Sequence, residues 1–137
     1  MTDSTQTEDL FFHRTGLDRG RVQSIVDKSL GDADDGEMFM EYRQSESFIW
    51  DDGRLKSASF DSSQGFGIRA VVEDSTGYAH ASDLSEAAMQ RSATAIEAVK
   101  SGHKGTYADN PSGTNQFYYN DKNPLDEIPF VDKVALL

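Results

Sequence analysis

Three histidines, His13, His80 and His103, have the most direct claim to metal or acid–base chemistry. They stand 67 and 23 residues apart. None forms a pair at helical spacing of the HExxH kind. The plain reading is surface or partly buried histidines, and the alternative is a scattered three-histidine zinc site. Asp32, Asp34 and Asp35 are the densest carboxylates. They lack the alternation and closing Glu of a calcium loop, so they read as a solvated loop. Gln64-Gly65-Phe66-Gly67 sets two glycines beside a strand. A phosphate cradle needs a helix N-terminus after it, and here a strand follows. The glycines read as points where another backbone or a bulky ring comes close. The functional alternative is a bare backbone that lines a peptide-binding edge or groove. Arg69 is the only charged residue from Gly65 to Val72. It pairs across the sheet with a carboxylate such as Glu46 or Glu41, or it holds a ligand carboxylate.

Aromatics are spread over Phe48, Trp50, Phe60, Phe66, Tyr78, Phe117, Tyr118 and Tyr119. A stacking platform for single-stranded nucleic acid would come with a basic groove, so most of them read as sheet core. Ser45, Ser47, Ser57, Ser59, Ser62 and Ser63 are plentiful, but none sits in a GxSxG elbow. These residues by themselves do not make an independent catalytic centre.

The elements that position them follow from periodicity. Leu17 to Leu30 reads as a helix, with Leu17, Val22, Ile25, Val26 and Leu30 on its apolar face. Asp18 caps it or sits in its first turn, and Gly31 ends it. A strand-rich block follows. Glu37 to Gln44 and Ser45 to Trp50 are separate strand candidates, and Asp51-Asp52-Gly53 is a hairpin turn. Leu55 to Phe60 is the next strand and Asp61 to Gln64 another turn. Gly65 to Val72 carries Phe66, Ile68, Ala70 and Val72 on one face, and Tyr78 to Ala81 returns the chain. Asp83 and Glu86 match a capping box ahead of a helix from Leu84 to Lys100, which Gly102 ends. The expected fold class is α/β in the α+β sense: two layers, a twisted, mostly antiparallel sheet with helices packed on one face. Residues 1–9 read as a flexible N-terminus. Residues 10–104 read as the domain. Residues 105–137 read as an extended C-terminal segment, with a short Phe117–Tyr119 strand or extended piece, that starts a truncated helix at Phe130.

The chain has 137 residues, which suits one domain. It holds 24 acids against 13 bases, a net charge of −11. The imbalance is even along the chain, with 13 acids and 7 bases in residues 1–60 and 11 and 6 in the rest. Nucleic acid and anionic membranes both draw on a positive patch, so direct binding to either is not expected. Cysteine is absent, which removes disulfides, thiolate metal sites and a cysteine nucleophile. The acidic start lacks a signal-peptide core, and no stretch reaches the ~20 apolar residues of a membrane span. The expected location is the cytoplasm.

Gly36 to Val99 resembles the N-terminal domain of the TldD/PmbA metallopeptidases, once called modulators of DNA gyrase. The resemblance rests on the strand ending near Tyr42 and leading into Ser45-Glu46-Ser47. It continues through the Asp52-Gly53 turn and Gln64-Gly65-Phe66-Gly67-Ile68-Arg69-Ala70. Thr76-Gly77-Tyr78-Ala79 and Asp83-Leu84 with its alanine-rich helix complete it. The tail is similar to the TldD side, through Phe117-Tyr118 and Asn123-Pro124-Leu125, and the likeness extends over about nine tenths of the chain. It implies zinc-dependent peptide cleavage in the cytoplasm by a longer protein. The zinc is expected in a C-terminal region carrying a histidine–glutamate helix, and no HExxxH-type motif occurs here. No catalytic or metal residue therefore carries over, and the chain alone is expected to be inactive. It reads as a fragment or truncated member whose closing leucines face a missing portion. The resemblance further implies a cleft for unfolded peptide. Ser45, Glu46, Ser47, Gly65, Gly67 and Arg69 are the candidate substrate-binding residues, through a sheet edge near Gly65–Arg69 or near Ser45–Trp50. Expected partners are the C-terminal domain of the same protein, a second copy or a PmbA-like subunit, and the peptide. The alternative function is a stand-alone protein-binding module without protease activity.

Overall fold

The computed structural model describes residues 5–102, 104–105 and 122–137. His103 and the expected Phe117–Tyr119 strand lie outside the described residues. Thr5–Glu8 forms a short helix, α1, which runs into a π-helical turn over Asp9–His13. That turn lays Phe11 and Phe12 against the core.

Helix α2 spans Arg19–Leu30, and its start is dictated locally. Asp18 is extended, and its Oδ1 accepts the Arg21 N–H at 2.8 Å. Leu17, just before the cap, and Val22, four residues after it, are both buried in one cluster, the arrangement of a hydrophobic staple. Helix α3, Glu86–Lys100, repeats the device. Its cap is Ser85, whose Oγ accepts the Ala88 N–H at 3.2 Å, and Leu84 and Met89 are its staple pair. The expected capping box from Asp83 is thus corrected. Asp83 instead accepts the Ser85 hydroxyl at 2.8 Å, orienting the capping side chain. Both staples converge on Phe66 in a single cluster. Replacing Asp18 with Ala is expected to cost about 1 kcal/mol, read as a lower urea midpoint at unchanged slope.

Strand β1 runs from Asp35 to Asp51, β2 from Arg54 to Val72 and β3 from Ser75 to Ala81. All pairing is antiparallel, in the order β1-β2-β3. Asp52 and Gly53 have φ of 50° and 70°, the backbone of a two-residue I′ hairpin turn. Two expectations change here. The candidates Glu37–Gln44 and Ser45–Trp50 are one 17-residue strand. The expected turn at Asp61–Gln64 is continuous strand, paired in register with Ser45 through Tyr42. Its polar residues read as a turn because neither side of this stretch enters the core. The pairing with β1 holds it extended where local propensity would not.

The core lies between the helices and one face of the sheet, as the sequence implied. Phe66, Ile68, Ala70 and Val72 point inward, against Leu17, Val22, Leu84 and Met89 at one end and Leu30, Ala33 and Ile96 at the other. β3 reaches only to Phe66 of β2. Beyond it β1 and β2 continue alone, as a two-stranded arm of residues 42–64. The aromatics depart from expectation. Among the described ones proposed as core, Phe66 is buried and Phe48 half-buried, while Trp50, Phe60 and Tyr78 are exposed. No helix among the described residues is long and apolar enough to cross a membrane.

Candidate functional site

In an antiparallel pair, opposed residues share a face. The register therefore sorts the candidate residues. Ser45 opposes Asp61, Ser47 opposes Ser59, Gly65 opposes Glu41, Gly67 opposes Phe39 and Arg69 opposes Glu37. All five candidates lie on the face away from the helices. Glu46, opposite Phe60, points to the other side. Ser45 and Gly65 are separated along the sheet by four residues, or ~13 Å.

The open face has an aromatic centre. A Cβ built on Gly67 would lie 2.6 Å from the Phe39 ring and 2.7 Å from the Tyr78 hydroxyl, so both side chains lean over the bare backbone. The Tyr78 and His80 rings are 5.7 Å apart. At Gly65 the near neighbour is the Ala81 carbonyl, 2.8 Å from a built Cβ. One glycine admits a ring and the other a backbone, so packing accounts for both.

Arg69 is an ion-pair residue, though not with the expected partners. Its Nε donates to Glu37 at 3.1 Å and its Nη2 to Asp35 at 3.3 Å. Glu41 stands opposite Gly65 and Glu46 lies on the far face. The hydrogen bond to Glu37 leads in raising the guanidinium pKa above its usual value, and the charges of Glu37 and Asp35 add to it. Arg69 thus keeps its charge.

Gly65–Arg69 does not form an edge. Phe66 to Arg69 have backbone partners on both sides, β1 and β3. The edge near Ser45–Trp50 is a true one, since β1 pairs with β2 alone among the described strands.

The zinc question can be put to these residues directly. His13 ends the π-helical turn on the helix-covered side, with its Nδ1 3.7 Å from an Asp9 carboxylate oxygen. His80 is on β3, on the open face. A sheet separates them. Among the described residues, no three of His, Cys, Asp and Glu are placed to hold a metal ion. Asp34 accepts the Glu73 N–H at 2.7 Å and Asp35 holds Arg69, so the acidic loop closes on protein groups. These residues do not fit a zinc site.

Sequence reading missed a cleft of ≈ 750 Å³ on the helix side of the arm. Asp9, His13 and Arg14 form one wall, Asn123–Asp126 the other, and Tyr42 and Gln44 the floor. Its parts are remote in sequence, and no local signal joins them.

Residues 36–102, from the start of the sheet to just past α3, match the model of PmbA/TldA metallopeptidase domain 1. A metalloprotease TldD homolog from Haemophilus influenzae is 31% identical over 108 residues, covering 76% of this chain and 22% of that protein. A second TldD homolog, from Buchnera aphidicola, is 28% identical over 105 residues with the same coverage. The chain carries the N-terminal domain of the TldD/PmbA family. Both relatives bear the TldD name, which puts it on the TldD side. It spans about a fifth of these relatives' length, and the alignments cover less of the chain than the nine tenths expected. The family match takes in the sheet and α3. Helix α2 and residues 122–137 lie outside it.

Proposed function

We propose that this domain is a non-catalytic part of a TldD-like zinc metallopeptidase and helps enclose the cleft that receives unfolded peptide in the cytoplasm. The observation that carries the reading is the outer edge of β1, 17 residues long and without a second partner strand among the described residues. Such an edge offers a row of N–H and C=O groups to an extended chain. Pairing of this kind reads backbone and makes few demands on side chains, as cleavage of unfolded peptide requires. Ser45 and Ser47 stand on this edge with hydroxyls toward the open face. Gly67 and Arg69 contribute through that face, not through an edge.

The metal and the bond-breaking chemistry belong to the rest of a family-length protein. That region, a second copy or a PmbA-like subunit closes the cleft.

The test runs elemental analysis and hydrolysis of an unfolded peptide on the 137-residue chain, beside a family-length TldD homolog. The expected result is a metal-free, inert short chain and a zinc-loaded, active long one. Stoichiometric zinc or cleavage by the short chain would overturn the reading, and His13, His80 and His103 would then be replaced first. In the family-length protein, alanine at Ser45 and Ser47 together is expected to weaken peptide binding. Unchanged affinity would rule out this part of the edge.

A further inference from the structure

The arm extends past the helices, yet its inner face is not bare. The buried core ends at Phe66 and half-buried Met40. Past Tyr42, which shares the cleft floor with Gln44, the inward residues along β1 are Gln44, Glu46 and Phe48, at every second position. Each is met by the C-terminal segment. Asn123 Nδ2 donates to Gln44 Oε1 at 2.7 Å. Lys133 Nζ donates to Glu46 Oε2 at 2.5 Å. The Phe130 ring lies 5.5 Å from Phe48.

The segment is also braced within itself. Asn123 bonds Asp126 through Nδ2 at 2.9 Å and accepts the Leu125 N–H at 3.1 Å. Lys133 Nζ donates to the Leu125 carbonyl at 2.5 Å as well. That ties helix α4, Phe130–Ala135, to the turn ahead of it. The Lys133 and Glu46 side chains are only 14% and 20% exposed. A pair so shielded is little screened by salt, and removing one partner strands the other charge away from water.

We infer that residues 123–133 are a strap that stiffens the arm by covering its inner face, with Lys133 as its keystone and Glu46 as a positioning residue. Glu46 is thereby removed from the peptide-contacting set. Its carboxylate faces away from Ser45 and Ser47 and is committed to the strap. With the strap seated, the β1 edge from Ser45 to Trp50 is backed by a second layer. With the strap released, Gln44, Glu46 and Phe48 face solvent and the arm moves as a free hairpin, which two strands alone hardly stabilise. What the strap serves rests on the proposed peptide edge. The strap itself does not.

Amide hydrogen exchange on the 137-residue chain tests it with no peptide present, so the peptide reading stands or falls on its own experiment. Lys133→Met and Glu46→Gln are each expected to speed exchange at least ~10-fold, in residues 43–48 and 123–136 together, with residues 66–72 unchanged. Lys133→Arg, which keeps the charge and the donors for both Glu46 and the Leu125 carbonyl, is expected to hold protection within ~3-fold of the parent. Lys56→Met, which removes a charge from an exposed pair with Asp51 near the arm's tip, is expected to change neither segment. A shift under ~2-fold, or movement of one segment without the other, would overturn the strap. If Lys133→Met loosens residues 66–72 as well, Glu46→Gln and Lys133→Arg decide. Loosening by the first with protection kept by the second supports the strap, and any other outcome refutes it.

Discussion

Ile68→Ala is expected to lower the unfolding free energy by about 3–4 kcal/mol. Ile68 is 1% exposed and sits toward the C-terminal end of β2, the middle strand, where sheet and both long helices meet. Its neighbours include Leu30 at the end of α2 and Ile96 in α3. Ala33 and Ala70 also touch this cluster and are fully buried, but they are too short to fill the vacated space. Leu30 and Ile96 are held by their helices, so the site collapses little and the cavity cost adds to the transfer cost. A domain of this size holds ~5–15 kcal/mol in all, so the variant spends much of its reserve. Urea unfolding at constant slope measures it. Ile49→Ala, at a side chain 51% exposed on the arm, is the contrast and should stay within ~0.5 kcal/mol. A loss under ~1 kcal/mol at Ile68 would mean the helices do not pack on β2 as described.

The inner face was readable because burial imposes alternation. Phe66, Ile68, Ala70 and Val72 declare themselves in the sequence, as do the apolar stripes of α2 and α3. Long-range facts were not readable, and one residue shows why. Pairing across the Asp52-Gly53 turn begins with Asp51 opposite Arg54 and Trp50 opposite Leu55, then shifts so that Ile49 opposes Ser57. Lys56 is the extra residue of a bulge. Without it, Ile68 would stand opposite Glu37. With it, Ile68 meets Met38, Phe66 meets Met40, and Arg69 meets Glu37 on the other face. A slip of one residue exchanges the faces, so core burial selects the bulged register. Arg69 as an ion-pair residue was legible from its isolation in an apolar strand. Its partners were not, because they depend on that slip.

The same reasoning separates what was legible of the candidate site. The two glycines promised close approaches and have them. Glu46 looked like its serine neighbours in sequence, but alternation sends it to the opposite face. Its partner Lys133 is 87 residues away. The arm's length was hidden because polar residues occupy both of its faces. Ser45, Ser47, Ser57, Ser59, Ser62 and Ser63 carry no periodic signal, whereas strand pairing extends through all of them.

Gly36→Ala is expected to cost about 2–3 kcal/mol, although Ala is ordinarily the better residue in a strand. The added Cβ would lie 2.5 Å from Leu30 Cδ2 and 2.7 Å from the Arg69 carbonyl oxygen. Leu30 is 1% exposed and has no free volume to enter. The Arg69 carbonyl belongs to the backbone of the central strand and moves only if the β1–β2 pairing moves with it. Gly67→Ala brings contacts of nearly equal closeness, 2.6 Å and 2.7 Å, but with the far ends of Phe39 and Tyr78. Those side chains are 47% and 54% exposed, so they swing into solvent and the cost stays below ~1 kcal/mol. Urea unfolding of the two variants side by side is the measurement. Equal losses would mean that close approach alone decides, and that the rigidity of what is approached does not. A large loss at Gly36 with a small one at Gly67 locates the fixed scaffold on the helix side of the sheet. The open face is then the compliant one, where ring displacement at Gly67 can be examined for an effect on peptide binding without the fold giving way.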